Sequence, residues 1–112
     1  MPRELMHPDI ADVSLTDMLS ALSDPVRREI VLKLSQGHDE LACIAFELPV
    51  SKSTLTHHFR VLREAGVIRQ RYEGTAILNA LRCDDLDTRF PGLLGAVIQA
   101  EEIAATRPSG VG

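Results

Sequence analysis

The hydrophobic positions follow two different periods along the chain. Leu15, Met18, Leu19 and Leu22 recur at i, i+3, i+4 and i+7, the spacing of an amphipathic helix, and Ser14 or Thr16 supplies a cap. Asp24-Pro25 starts a second helix, with Asp as N-cap and Pro at the first helical position. Val26, Ile30, Val31 and Leu34 make its buried stripe, and Gly37 closes it. A short third helix is predicted over 39–47, with Leu41, Ile44, Ala45 and Leu48 inward and Pro49 preventing its extension. Ser51 caps a fourth helix that reaches Ala65, and Gly66 stops it.

Beyond Gly66 the period drops to two. Residues 67–72 and 75–81 are β-prone runs joined by Glu73-Gly74, a two-residue loop suited to a tight hairpin. Residues 84–87 read as a polar connector or a short turn, and Pro91 opens a last helix that runs to about Ala105. Two helices around a tight turn, the second longer and followed by a hairpin, form a winged helix-turn-helix. The predicted fold class is mainly α with a small β-hairpin (α+β). Residues 1–13 read as a flexible N-terminal arm, 14–105 as the domain with terminal dimerisation helices, and 106–112 as a disordered tail.

On a helical wheel, Leu55, Phe59, Leu62 and Ala65 share one face of the fourth helix, with His58 on its flank. Lys52, Ser53, Thr56, His57, Arg60 and Arg63 fall opposite. Such a face suits a major groove, where short hydroxyls and forked guanidinium groups meet base edges and phosphates. The N-terminal half, Ser51 to His57 and including Thr54, is the expected base-reading segment. In the hairpin, Arg69 and Arg71 alternate with their neighbours and leave one face together, toward phosphates or a minor groove, with Tyr72 and Thr75 nearby. The plainer alternative for any charged helix face is mere solvation, but the short helix before it and the basic hairpin after it favour DNA.

Charge changes this picture by its placement. The chain of 112 residues has a formal net charge of −4, which looks unsuited to a polyanion. Yet residues 51–75 hold five of its twelve Lys and Arg and only two of its sixteen Asp and Glu. One compact segment is basic and the remainder is acidic. With three Phe, one Tyr and no Trp, the core must be built from Leu, Ile, Val and Ala, and so small a domain gains stability by pairing. Cys43 and Cys83 are far apart and form no CxxC, which suits a reducing cytosol. The absence of an apolar N-terminal run or of 18 consecutive apolar residues predicts a cytoplasmic protein with no membrane span.

The run Ala21-Leu22-Ser23-Asp24-Pro25-Val26-Arg27-Arg28-Glu29-Ile30 resembles the opening signature of ArsR/SmtB repressors. The run from Ser51 through His57, His58 and Phe59 to Gly66, Val67 and Ile68 resembles their recognition helix and its exit into the wing. The likeness covers about residues 14–81. It implies a homodimer built on the first and last helices, a palindromic double-stranded operator, and release of DNA on a chemical signal. The expected interface residues are Leu15, Met18, Leu19, Leu94, Val97 and Ile98, since a chain this small can hardly bury the apolar face of its last helix alone.

Many members of that family bind transition metals, but the usual ligand sets are broken here. The third helix offers one thiol, Cys43, instead of a Cys-x-Cys pair, and residues 92–105 contain no His or Asp. A variant site would join His7 and Asp9 to His38 or Cys43, holding Ni²⁺ or Zn²⁺. Against it, no ligand spacing is diagnostic, and these residues also read as exposed polar groups and a small buried thiol. Adjacent His57 and His58 do not face each other on a helix. A disulfide switch between Cys43 and Cys83 would need an electropositive setting. Arg82 offers Cys83 a little of that, but Cys43 sits among apolar neighbours, so two inert structural cysteines are the favoured reading.

Two competing functions remain to be weighed. A winged helix that binds protein instead of DNA would be expected to lose the basic face, which this chain keeps. Catalysis finds no support: there is no Gly-rich phosphate loop, HExxH or G-x-S-x-G in the sequence.

Overall fold

The computed structural model describes residues 5–37, 41–42 and 50–106. Among them are helices α1 (Leu15–Ala21), α2 (Pro25–Gln36), α3 (Lys52–Glu64), α4 (Cys83–Arg89) and α5 (Leu93–Thr106), and a small sheet against which α2 and α3 pack. Its strands are β1 (Leu41–Ala42), β2 (Ile68–Glu73) and β3 (Ala76–Leu81), antiparallel in the order β1-β3-β2. No helix among the described residues is long and apolar enough to cross a membrane.

The local signals that start and stop the helices are satisfied in hydrogen bonds. Asp24 Oδ1 accepts from the Val26 and Arg27 amides at 2.8 and 3.2 Å, with Pro25 first in α2. The Ser51 hydroxyl accepts from the Thr54 amide at 3.2 Å and starts α3. At the other end Gly66 has φ +85°; its amide donates to the Arg63 carbonyl and the Val67 amide to that of Leu62. These two bonds are the Schellman pattern, and they turn the chain from helix directly into β2. The hairpin pairs Glu73 with Ala76, so its two-residue loop is Gly74-Thr75, one position later than the sequence suggests. Gly74, at φ +62°, takes the first central position of that turn.

The core joins Met18 and Ala21 of α1, Ile30, Val31 and Leu34 of α2, and Phe59 and Leu62 of α3. Val67, Ile68, Leu86 and Leu94 extend it under the hairpin, α4 and α5.

Three sequence expectations are corrected. Leu41 and Ala42, expected in a helix over 39–47, pair with Asn79 and Leu78 as strand β1, so the hairpin is part of a three-stranded sheet. Residues 43–49 lie outside the described residues. Residues 84–87 are not a connector: they lie within α4, whose Leu86 is fully buried. Residues 5–13, expected in a flexible arm, are laid along the domain. Arg82 donates to the Pro8 carbonyl at 2.8 Å, Arg89 donates to that of Val13 at 3.2 Å, and Val13 is buried.

Val13 is seated against Gly66. A Cβ on Gly66 would lie 2.4 Å from a Val13 methyl and would also occupy a left-handed conformation. Gly66→Ala is therefore expected to destabilise the fold by about 2 kcal/mol or more in urea denaturation. Combined with Val13→Ala it should cost less than the two changes summed, because the clash is shared. Strict additivity would show that Val13 does not rest on Gly66.

Candidate nucleic-acid interface

Helix α3 has a buried side and a wet side, divided largely as the sequence predicts. Phe59 and Leu62 are buried and Leu55 half-buried, while Lys52, Ser53, Thr54, Thr56, His57 and Arg60 are exposed. Lys52 and Arg60 have no carboxylate within ion-pairing distance among the described residues. Two unpaired cations beside short hydroxyls are available to phosphates and base edges. The hydroxyls divide their labour. Ser51 spends its oxygen on the helix cap and on contacts to Thr54 at 2.9 Å and Ser53 at 3.2 Å. Thr56 donates to the Lys52 carbonyl at 2.9 Å, which leaves its oxygen able to accept a further hydrogen bond.

The back of α3 is gripped by Arg27 of α2. Its Nε donates to the Ala21 carbonyl at 2.6 Å and its Nη1 to His58 Nδ1 at 3.2 Å. One guanidinium thus ties the end of α1 to the recognition helix. His58 is buried, as a packing residue should be. Burial holds its pKa below the ordinary 6.5, the charge on Asp24 opposes this, and the charges on Arg27 and His57 add to the lowering.

The wing differs from expectation in its electrostatics. Along β2, Ile68 and Gln70 are buried and Tyr72 half-buried, while Arg69, Arg71 and Glu73 are exposed on the other face. Both arginines do share the outer face, but Arg71 pairs with Glu73, and Arg69 lies 3.8 Å from Asp85 of α4. Thr75 is exposed in the turn. Arg63 is the largest departure. It turns inward and donates from Nη1 to Gln70 Oε1 at 2.8 Å, and its Nε is buried with no hydrogen-bond partner among the described residues. Gln70 in turn donates to Asn79 Oδ1 at 2.7 Å. Arg63 follows Phe59 by four residues, only about 40° around the helix, so it stands at the edge of the buried face. Gln70 is equally legible as a polar residue in phase with the buried Ile68.

Of the four metal candidates, only His7 and Asp9 lie among the described residues. His7 Nε2 accepts from the Gln70 amide at 2.9 Å, and the imidazole also hydrogen-bonds to the Leu5 backbone. Asp9 is exposed at the start of a 3-10 turn, and His38 and Cys43 lie outside the described residues. Among the described residues no three His, Cys, Asp or Glu are grouped to hold an ion. Burial and the charge on Asp84 push the Cys83 thiol pKa up, away from thiolate reactivity.

Of the expected interface residues, Met18 and Leu94 belong to the chain's own core. Val97 and Ile98 are half-buried, and Leu15 and Leu19 remain about half exposed, at 47% and 48%. The apolar arc of α1 is too wide for one core to cover: Met18 and Leu22 face inward and the other two leucines do not.

A recognition helix with a polar, cationic front, followed by a hairpin, defines a winged-helix regulator that reads duplex DNA. The bacterial regulatory protein, arsR family, model matches residues 24–70. The transcriptional repressor SdpR of Bacillus subtilis is 33% identical over 83 residues, which are 74% of this chain and 92% of SdpR. The HTH-type transcriptional regulator YceK of the same organism is 34% identical over 79 residues, covering 69% of this chain and 79% of YceK. An ArsR-like transcriptional regulator from Rhodococcus superposes with a TM-score of 0.58 at 25% identity, covering 81% of this chain and 86% of that one. The chain belongs to the ArsR family of DNA-binding transcriptional regulators.

His58 gives the fold an acid limit. Because its folded pKa lies below 6.5, the unfolded chain takes up the proton first as pH falls. Its contribution is complete above 6.5 and is lost as pH drops toward the folded value. Denaturation midpoints should therefore decline below that pH, and His58→Gln should flatten the decline. A decline of equal steepness in that variant would remove His58 from the account.

Proposed function

We propose that the chain works as a homodimer that occupies a palindromic operator in the cytoplasm and thereby represses transcription. The observation that carries this reading is the outward face of α3, where Lys52, Ser53, Thr56, His57 and Arg60 are all exposed and both cations are unpaired among the described residues. Two such helices, one from each protomer, would enter successive major grooves about one helical turn apart. Repression is supported by SdpR, a transcriptional repressor. Dimerisation is supported by the apolar side chains left exposed on the first helix, Leu15 and Leu19 of α1. A signal that alters the spacing of the two recognition helices would release the DNA.

Fluorescence anisotropy with the DNA upstream of the chain's own gene, against a scrambled duplex, tests the operator. Tight binding to the first alone is expected, and equal weak binding to both would favour a protein-interaction module instead. Lys52→Ala and Arg60→Ala should each weaken binding and lower the logarithmic salt slope by about 0.9 for every phosphate no longer neutralised, once in each protomer. Sedimentation at micromolar concentration should give a dimer that Leu15→Glu with Leu19→Glu converts to monomer. A monomeric wild type would contradict the quaternary reading.

A further inference from the structure

Arg63, Gln70 and Asn79 form a chain of polar contacts that no DNA contact requires. Arg63 leaves the late part of α3, Gln70 lies at the centre of β2, and Asn79 is its cross-strand partner on β3. The hydrogen bonds between them are 2.8 and 2.7 Å. Asn79 is fully buried and Gln70 is 4% exposed. The Gln70 amide is directed outward from β2, an edge strand, and is received by His7 of the docked arm at 2.9 Å. A burial of this kind is costly unless its bonds are kept, and here even the Arg63 Nε is withheld from water, without a partner among the described residues. Arg63 as a whole is half-buried, and its Nη1 is already committed to Gln70.

We propose that Arg63, Gln70 and Asn79 are positioning residues that fix the angle between the recognition helix and the wing, and so set operator selectivity without touching DNA. The physical ground is directional. The apolar contacts between α3 and the hairpin tolerate small rotations, whereas the hydrogen bond from Arg63 Nη1 to the Gln70 oxygen weakens as its angle departs from linear. With the angle fixed, the front of α3 and the tip of the wing meet the duplex in one register. With it loose, phosphates are still found and the right base edges are not. His7 completes the device by occupying the amide that would otherwise let another strand pair with β2.

The inference rests on the operator reading above, and the test separates the two. A duplex enriched from a random library by the wild-type protein serves as the specific probe, and a scrambled duplex of equal composition as the non-specific one. Thermal melting first establishes that each variant is folded at the assay temperature. Arg63→Met is expected to lower the ratio of specific to non-specific affinity about tenfold or more, while the salt slope on scrambled DNA stays at the wild-type value. Gln70→Met should act on the same bond, so the double variant should lose no more selectivity than the worse single one. Arg63→Lys keeps the charge and the stem, and serves if the methionine variant does not fold. It should also lose selectivity, because a strongly hydrated ammonium on a flexible stem holds no fixed direction toward the Gln70 oxygen. A salt slope reduced in Arg63→Met by about 0.9 per protomer would make Arg63 a phosphate ligand and overturn the inference. Undiminished selectivity in Arg63→Met or Arg63→Lys would overturn it as well. Failure of the wild type to enrich any sequence would overturn the operator reading and this inference together.

Discussion

A helix that reads DNA must be held firmly from behind while its front stays hydrated, and the burial of Phe59 and Leu62 is what makes that possible here. Each fully buried side chain of this kind contributes about 1.5–3 kcal/mol. Both come from the same turn-by-turn stripe that leaves Thr56 and Arg60 outside. Apolar burial fixes depth but not direction, so polar bonds are added at both ends of the stripe. Arg27 meets His58 on the second turn of α3, and Gln70 meets Arg63 on its last turn. The Gly66 turn then launches β2 without an intervening loop, so the wing inherits the orientation of the helix it follows.

The same framework settles where positive charge is available. Five basic residues between 51 and 75 suggest a uniformly cationic surface, but the structure sorts them. Arg69 and Arg71 have carboxylates beside them, and Arg63 is committed to Gln70. Lys52 and Arg60 are left on the front of α3. Exposed ion pairs are weak, about 0–1 kcal/mol, so a phosphate would displace Glu73 or Asp85 at little cost. The acidic partners therefore soften the wing's attraction without abolishing it. The selective part of the surface becomes the helix and the adjustable part the wing.

Much of this is legible in the residues, and the parts that are not share a cause. Helices α1, α2 and α3 and the hairpin announce themselves by period and by caps, since Asp24-Pro25, Ser51 and Gly66 act within a few residues of where they stand. Strand β1 is two residues long, too short for any period, and exists only because β3 offers it an edge. Helix α4 buries one apolar residue, Leu86, beneath four charged ones, so its amphipathic signal is a single point. The docking of residues 5–13 depends on Gln70, Arg82 and Arg89, more than sixty positions away in the chain. Sequence patterns report local preference; these features are stabilised by distant partners.

The position of Arg63 shows how a local pattern can mislead even inside a well-read element. A wheel assigns each residue an angle, and at the border of the buried face that angle leaves two outcomes open. What decides between them is whether a matching acceptor waits on the neighbouring element. Gln70 stands in phase with Ile68 on the inner face of β2, a polar residue where a hydrophobic one would pack more cheaply. Its amide oxygen needs a donor and its amide nitrogen an acceptor, and Arg63 and Asn79 supply them on either side. An inward polar residue on the strand thus predicts an inward-turning partner on the helix. The two departures from simple patterning are one event, and they fall where the recognition helix joins the wing.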